Sequence, residues 1–416
     1  RKKDQLCYYL SEDVPKYIRL INKCGDQYEI RNLSGEFEIT LNGIKSQFLK
    51  LMDRINKKYT SELWWSGDIA SRSGSANLVI RDITYLFCAN KILSEKNTDL
   101  IFIVESNALS NCIETLGKKA GFKIINKINR IDQSFNIIKR LFIIIAKGPY
   151  FLSRVMYERK IAFKVLKPLT GRKKFGKKRI VIRSWFRDNT IKEHEEFKDR
   201  NFGSLPDRLR SMNYDVWILP MPIDLSISIK QFYEKLKTVD HQFLIHHHYL
   251  KFSDYLKTLF DGYKYTKFRI NNANINGINV SPLFNELIRE NLFIPDLHYL
   301  MLKRLKERDF EVDGFYYAFE SNNPEKYFIL GCRKFFPDSK IYGYQHTTFF
   351  HNNLTYHLAA GESEYHPLPD KIICSGPMYM ELFTKAKFPK RILANGPNLR
   401  FEDIHIKNNN NHPKIP

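Results

Sequence analysis

The spacing of apolar and polar positions divides the chain into segments of two periods. Short apolar runs bounded by Gly, Pro, Asn or charged residues predict strands at 27–30, 37–41, 99–104, 123–128, 179–185, 215–220, 242–246, 314–320, 340–345, 368–376 and 391–396. Helical periodicity predicts helices over 43–59, 78–94, 107–120, 226–239 and 323–336, with further helices between 246 and 308. Ser106 or Asn107 is placed to cap the third of these. Pro324 falls in the first turn of the 323–336 helix, and Ser204 before Pro206 marks another helix start. Past 314 the order is strand, helix, strand, strand, helix, strand, the rhythm of a parallel sheet covered by helices. The expected class is α/β with Rossmann-like parallel sheets.

Between 131 and 178 the pattern changes. An apolar run at 135–146 meets Gly148-Pro149, and 151–166 interleaves aliphatic and aromatic residues with Arg154, Arg159, Lys160 and Lys164. A basic run without an acid fills 171–179. This predicts a basic amphipathic helical hairpin inserted between two α/β domains. It suits contact with an anionic membrane surface, or packing on a neighbouring domain with a solvated linker. The expected division is 1–130, 131–178, 179–400, and a linker over 401–416.

Charge narrows the partners. A formal +22 and a pI near 9.5 point to an anion: nucleic acid, an acidic membrane or a phosphorylated substrate. A Lys-, Ile- and Asn-rich composition also raises the charge without any function. No nucleic-acid-binding motif accompanies the basic run, so nucleic acid is not expected. The six cysteines are scattered, without a CxxC pair, and read as buried thiols of a reducing compartment. No zinc-ligand spacing occurs. His246-His247-His248, read as a strand end, would point to alternate faces, and no metal is expected there. No signal peptide and no run of about 18 apolar residues is present. The chain begins without Met and ends after Asn408–Asn411, which reads as a piece of a longer protein with a further domain following.

In parallel sheets the ligand crevice lies just past the carboxyl ends of the strands. Glu320, Gln345, His346 and Thr347 fall there. His346 can act as a general base or hydrogen-bond a phosphate, and Glu320 can orient it or titrate itself. The alternative is a capping His and a Glu that satisfies the next helix. Arg183, Trp185 and Arg187 leave the 179–185 strand toward the same crevice, and His246 ends another strand. Asp199, Gly203 and Ser204 precede a helix start whose free N–H groups suit an anion or a sugar hydroxyl. Arg400 can clamp a phosphate or form a linker salt bridge. Glu362 and Glu364 are placed to face the crevice, and Arg72 with Glu105 to line a pocket or to serve loop solvation and capping. GxGxxG, Walker, GxSxG and DxD-like motifs are lacking.

The ordered series Ser184-Trp185, Asp199 with Phe202-Gly203, Glu320 with Asn323-Pro324-Glu325-Lys326, Gly343-Tyr344-Gln345-His346, Pro367-Leu368-Pro369-Asp370, Gly376, and Gly396 with Arg400 resembles bacterial surface-carbohydrate (O-antigen) biosynthesis proteins, glycosyltransferases of GT-B type. The Gln-His element is also similar to that of capsule Kdo transferases and polyol-phosphate polymerases. The resemblance covers about 60–400, strongest over 178–400. It implies a GT-B-like cytoplasmic enzyme, peripheral on the inner face of the membrane. Such an enzyme moves a sugar from a nucleotide-sugar donor to a lipid-linked glycan acceptor, with no cofactor beyond the donor. His346 and Glu320 would then line the cleft, and the nucleotide-holding C-terminal domain would be missing or incomplete here. The alternative is a non-catalytic glycan-assembly factor that recruits partners to the membrane through 131–178.

Overall fold

The computed structural model describes residues 6–24, 27–72, 78–95, 99–125, 130–168, 176–188, 190–191, 197–290, 295–349 and 353–402, and the side chains among them outside 130–145 and 290. In chain order the strands are β1 (Leu6–Leu10), β2 (Glu29–Asn32), β3 (Leu100–Val104), β4 (Arg179–Phe186), β5 (Asp215–Pro222), β6 (Gln242–Phe243), β7 (Asn274–Ile275), β8 (Ile278–Asn279), β9 (Gly314–Phe319), β10 (Lys340–Gln345), β11 (Lys371–Cys374) and β12 (Leu393–Asn395). The chain folds into two units. One comprises Arg1–Tyr59, Arg72–Ile143 and Lys264–Leu292, and the other Thr60–Ser71, Ile144–Tyr263 and Phe293–Pro416.

The first unit holds a parallel sheet of order β2-β1-β3. Its central strand, β1, escapes a sequence reading because only five residues carry it. The expected strand at 37–41 is instead the start of a helix, Ser34–Lys58. Leu41, Ile44, Phe48, Leu51, Met52 and Ile55 are buried along one face of it, and this long helical period outweighs a brief alternation. Residues 122–125 form no strand, and 126–129 lie outside the described residues. Ser106 caps the helix Asn107–Lys119 as expected, accepting from the Leu109 N–H at 3.0 Å. Its hydroxyl also donates to Glu286, which in turn accepts from the Ala108 N–H at 3.1 Å. That contact draws the helix Ser281–Glu290 into this unit. Within the Asn-rich stretch, Asn276 (φ 47°) and Gly277 (φ 81°) make the tight turn between β7 and β8.

The second unit is built on a seven-stranded sheet of order β12-β11-β10-β9-β4-β5-β6, parallel at every pairing. From β4 the chain winds outward through β5 and β6, then returns to β4's other side and winds through β9 to β12. This order is consistent with a Rossmann-like α/β sheet. Alternation along β4 shows why both faces are covered. Ile180 and Ile182 pack with Val216, Ala318 and Tyr344 on one side, whereas Val181 packs with Trp217, Phe315 and Ile341 on the other. At the amino ends of β4 and β5 the buried Arg179 reaches Asp215 at 2.8 Å and stacks on Phe310.

The insertion is a correction. Arg130–Val165 is a single helix with Pro149 inside it, where a hairpin broken at Gly148-Pro149 is the sequence expectation. Proline removes one rung of the hydrogen-bond ladder, and a helix of 36 residues carries through that local loss. The basic stretch 171–175 lies outside the described residues. Among the described residues no helix is long and apolar enough to cross a membrane.

Candidate active site

The strand order reverses direction between β4 and β9, and the residues just past these strands border a crevice. After β9 the backbone turns at Ser321, held at φ 59°, into the helix Asn323–Phe335. The helix is not capped by Asn322. Glu325, in its first turn, folds back and accepts the N–H of Glu320 at 3.0 Å and that of Ser321 at 2.8 Å. Burial, with the neighbouring Glu320 charge second, pushes the Glu325 carboxyl up to about 8. Because Glu325 serves the turn, Glu320 is left to face the crevice. There it accepts from Asn322 Nδ2 at 2.8 Å and meets His346.

His346 follows β10, with Nε2 3.3 Å from Glu320 Oε1. Only 5% of its side chain is exposed, and neither ring nitrogen has a hydrogen-bond partner, the approach of Nε2 to Glu320 being a contact of charge and not an aligned hydrogen bond. Asp199 is a second carboxylate close enough for the His346 charge to act on it. It is fully buried and accepts from Ser184 Oγ at 2.9 Å, the Asn201 N–H at 2.8 Å and the Phe202 N–H at 2.9 Å. Its Oδ2 is unpartnered, and burial pushes the carboxyl up against those bonds and the pull of His346. Orphaned polar atoms on two neighbouring residues are uncommon in a finished core and are expected where a ligand completes the set.

A segment from the far edge of the sheet closes one wall. Tyr344 OH accepts from the Leu399 N–H at 2.7 Å, and Glu402 accepts from the Ser204 N–H and Oγ at 2.7 and 2.8 Å. Ser204 therefore occupies the cap position of the helix Leu205–Ser211 without capping it. Gly203 sits at φ 54°, and a side chain there would meet the Leu399 carbonyl at 2.6 Å. The segment brings Arg400 to the His346 carbonyl at 3.4 Å. Burial and the charges of Arg400 and Arg187 push the Arg200 guanidinium down, so Arg200 is repelled by both of the other arginines. Arg200 and Arg400 have no carboxylate partner among the described residues, whereas Arg187 pairs with the exposed Asp224 at 3.1 Å. An anion between them would relieve that repulsion.

On the other side, Arg183 is buried and pairs with Asp296 at 2.9 Å, with its guanidinium over Phe328. Asp296 also holds His298, Nδ1 to Oδ1 at 3.0 Å. Burial opposes its ionisation, but His298 and Arg183 outweigh it and keep the carboxyl well below the usual range. His246 lies edge-on to the His298 ring at 5.4 Å, and burial keeps its imidazole neutral. Asp296 and His298 escape a sequence reading because Asp296 lies in the loop before the helix His298–Lys306 and His298 is that helix's first residue, so no period flags either. Only the Asp-x-His spacing, with the Asp capping the His N–H at 2.7 Å, marks the pair.

Other expected residues have different duties. Gln345 is buried and ties the turn after β10, donating to the Thr347 carbonyl and accepting from the Ser375 N–H at 3.0 Å. Thr347 bonds Tyr356 OH at 2.8 Å, and Trp185 lies beside Arg183. Glu362 is wholly buried against His366 at 3.0 Å, so it does not face the crevice. In the first unit Arg72 is buried, and Glu105 pairs with Lys16 at 2.8 Å. His246–His248 form a 3₁₀ turn instead of a strand end. His246 and His247 lie ring to ring at 4.0 Å, His247 bonds Tyr255 and approaches Glu158, and His248 packs on Phe163. Among the described residues no group of three or more His, Cys, Asp or Glu is placed around a common metal position. A cavity of about 590 Å³ opens at the opposite edge of the sheet, lined by Lys177, Asp207, Arg210, Asp240 and His241. Two of its charge pairs are internal, Arg210 to Asp240 at 2.8 Å and His241 to Asp207 at 3.1 Å, and parallel sheets bind ligands at the other edge.

Compared with protein-family models, curated proteins and solved structures, the chain finds no match.

Proposed function

We propose that this protein is a GT-B-like glycosyltransferase of bacterial surface-polysaccharide assembly, peripheral on the cytoplasmic face of the membrane. On this reading it moves a sugar from a nucleotide-sugar donor to a lipid-linked glycan acceptor. The observation that carries the reading is His346, almost fully buried at the switch point of a parallel sheet, against Glu320, with Nδ1 unpartnered. The ordered motifs that resemble the O-antigen proteins coincide with the crevice: Glu320, His346, Asp199, Gly203 and Arg400 converge there.

In the proposed reaction, His346 takes the proton of the acceptor hydroxyl as its oxygen attacks the donor's anomeric carbon. The new C–O bond forms while the bond from that carbon to the donor phosphate breaks, and the nucleotide leaves with the electron pair. Glu320 steadies the imidazolium. Arg187, Arg200 and Arg400 neutralise the phosphate charge as it develops. The basic insertion over 131–178 holds the enzyme at the anionic surface where a lipid-linked acceptor resides.

The test is a thermal-shift screen of CMP-, UDP-, GDP- and dTDP-linked sugars on the full-length protein, followed by donor turnover. Stabilisation by one nucleotide class, together with turnover lost in His346→Ala, supports the reading. Turnover undiminished in that variant overturns the role of His346. The absence of any shift or turnover favours the non-catalytic assembly factor.

A further inference from the structure

The crevice past β9 and β10 is sorted by charge. Arg187 and Arg200 are exposed and Arg400 is half-buried, so the cations stand toward solvent. The carboxyls lie deeper. Asp199 is 1% exposed and the Glu320 side chain 28%. Among the described residues neither is paired with lysine or arginine. Asp199 is held by Ser184 and two main-chain N–H groups, and Glu320 by Asn322 and the approach of His346.

The arrangement of Asp199 limits what can complete it. Its Oδ1 already takes three donors at 2.8–2.9 Å, and its Oδ2 is buried without a partner. Only a group that brings a donor can satisfy that oxygen. The same group enters beside His346, whose two ring nitrogens are also unpartnered. Asp199 and Glu320 both act on that imidazole, one through its charge and one at 3.3 Å. A ligand carboxylate lodged there would meet two acidic side chains with no cation paired to either, which is strongly unfavourable away from water. A hydroxyl donates one hydrogen bond and accepts others without charge, and it suits both partners.

We infer that Asp199 and Glu320 make the floor of the crevice selective for a neutral, hydroxyl-bearing sugar and close it to sugars that carry a carboxylate. The inference rests on the transferase reading for its choice of a sugar as ligand. Phosphate belongs with the outer arginines, and the uncharged ring with the inner carboxyls. Discrimination here is by repulsion as much as by fit.

The test is saturation-transfer NMR on the full-length protein with methyl glycosides of glucose, galactose and mannose. Each is compared with its uronate, which differs only in a carboxylate at C6. At least one neutral glycoside should bind about tenfold or more tightly than its uronate at low salt. Asp199→Asn keeps an oxygen for Ser184 and the two N–H groups but puts an amide nitrogen in place of Oδ2. It should weaken the neutral glycoside and melt within a few degrees of wild type. Glu320→Gln alone should narrow the gap between glycoside and uronate by about threefold or more, which keeps the test open should Asp199→Asn fold poorly. The double variant should bring the two ligands nearly level.

Equal or tighter binding of the uronate, no binding of any neutral glycoside, or an unchanged gap in the variants overturns the inference. Turnover of a CMP-linked acidic sugar would overturn it while leaving the transferase reading in place. Selective binding of a neutral glycoside, with no response to any nucleotide-sugar, would uphold it and count against the transferase.

Discussion

Glu325 accepts the backbone N–H groups of Glu320 and Ser321, and so the carboxylate that secures the turn after β9 is not the one that faces His346. Structural and chemical duties fall on two glutamates five residues apart, and variants can address them separately.

His346→Ala should lower donor turnover by about 100- to 10 000-fold, the usual span for a lost general base. Glu320→Gln should cost less, about tenfold, because the partner at 3.3 Å then lacks a charge to steady the imidazolium. Both should melt within a few degrees of wild type. Full activity in His346→Ala removes the base from the mechanism.

Glu325→Gln tests the turn. The folded carboxyl is raised from 4.5 to about 8, so the wild type favours its protonated form. Its contribution is fully present below about pH 4.5 and is lost as pH rises through about 8. Glutamine cannot ionise and keeps an acceptor for the two N–H groups. Melting curves should show wild type falling relative to the variant across that window, by on the order of 5 °C. Parallel curves would sink the assignment.

Arg200→Ala combined with Arg400→Ala should raise KM for the donor about tenfold or more and flatten its salt dependence. Stability should hold or rise slightly, since removing either cation relieves mutual repulsion. An unchanged KM would place the donor phosphates elsewhere.

Arg179→Met leaves Asp215 charged and buried at the far edge of the sheet. A loss of about 3–5 kcal/mol is expected, read as a lowered denaturant midpoint. KM for the donor should stay unchanged in the folded fraction, because the pair stands at the amino ends of the strands, away from the crevice.

Much of the second unit is legible in the chain's periodicity. Its strands are buried on both faces and read as apolar runs, and the helix beginning at Asn323 is announced by Pro324. Glu320 and His346 follow from position alone, as residues just past such runs. Three things are not legible. The strand β1 is too short to show a period, and the alternation at 37–41 is a fragment of a longer helical one. Asp296 sits in the loop before the helix His298–Lys306 and His298 opens that helix, and the value of the pair comes from Arg183, 113 residues before Asp296. Glu402 gives no local sign of answering Ser204, because the contact that matters spans 198 residues.

That last separation bears on how the protein is made. Chain closure over such a distance comes late, after the intervening strands have found their register. As the polypeptide leaves the ribosome, Ser204 and Gly203 emerge early and wait without the wall that Leu399–Phe401 and Glu402 provide. The crevice is therefore the last feature of this sheet to mature. A nascent chain would carry His346 and Glu320 for some time before Arg400 arrives to complete their surroundings.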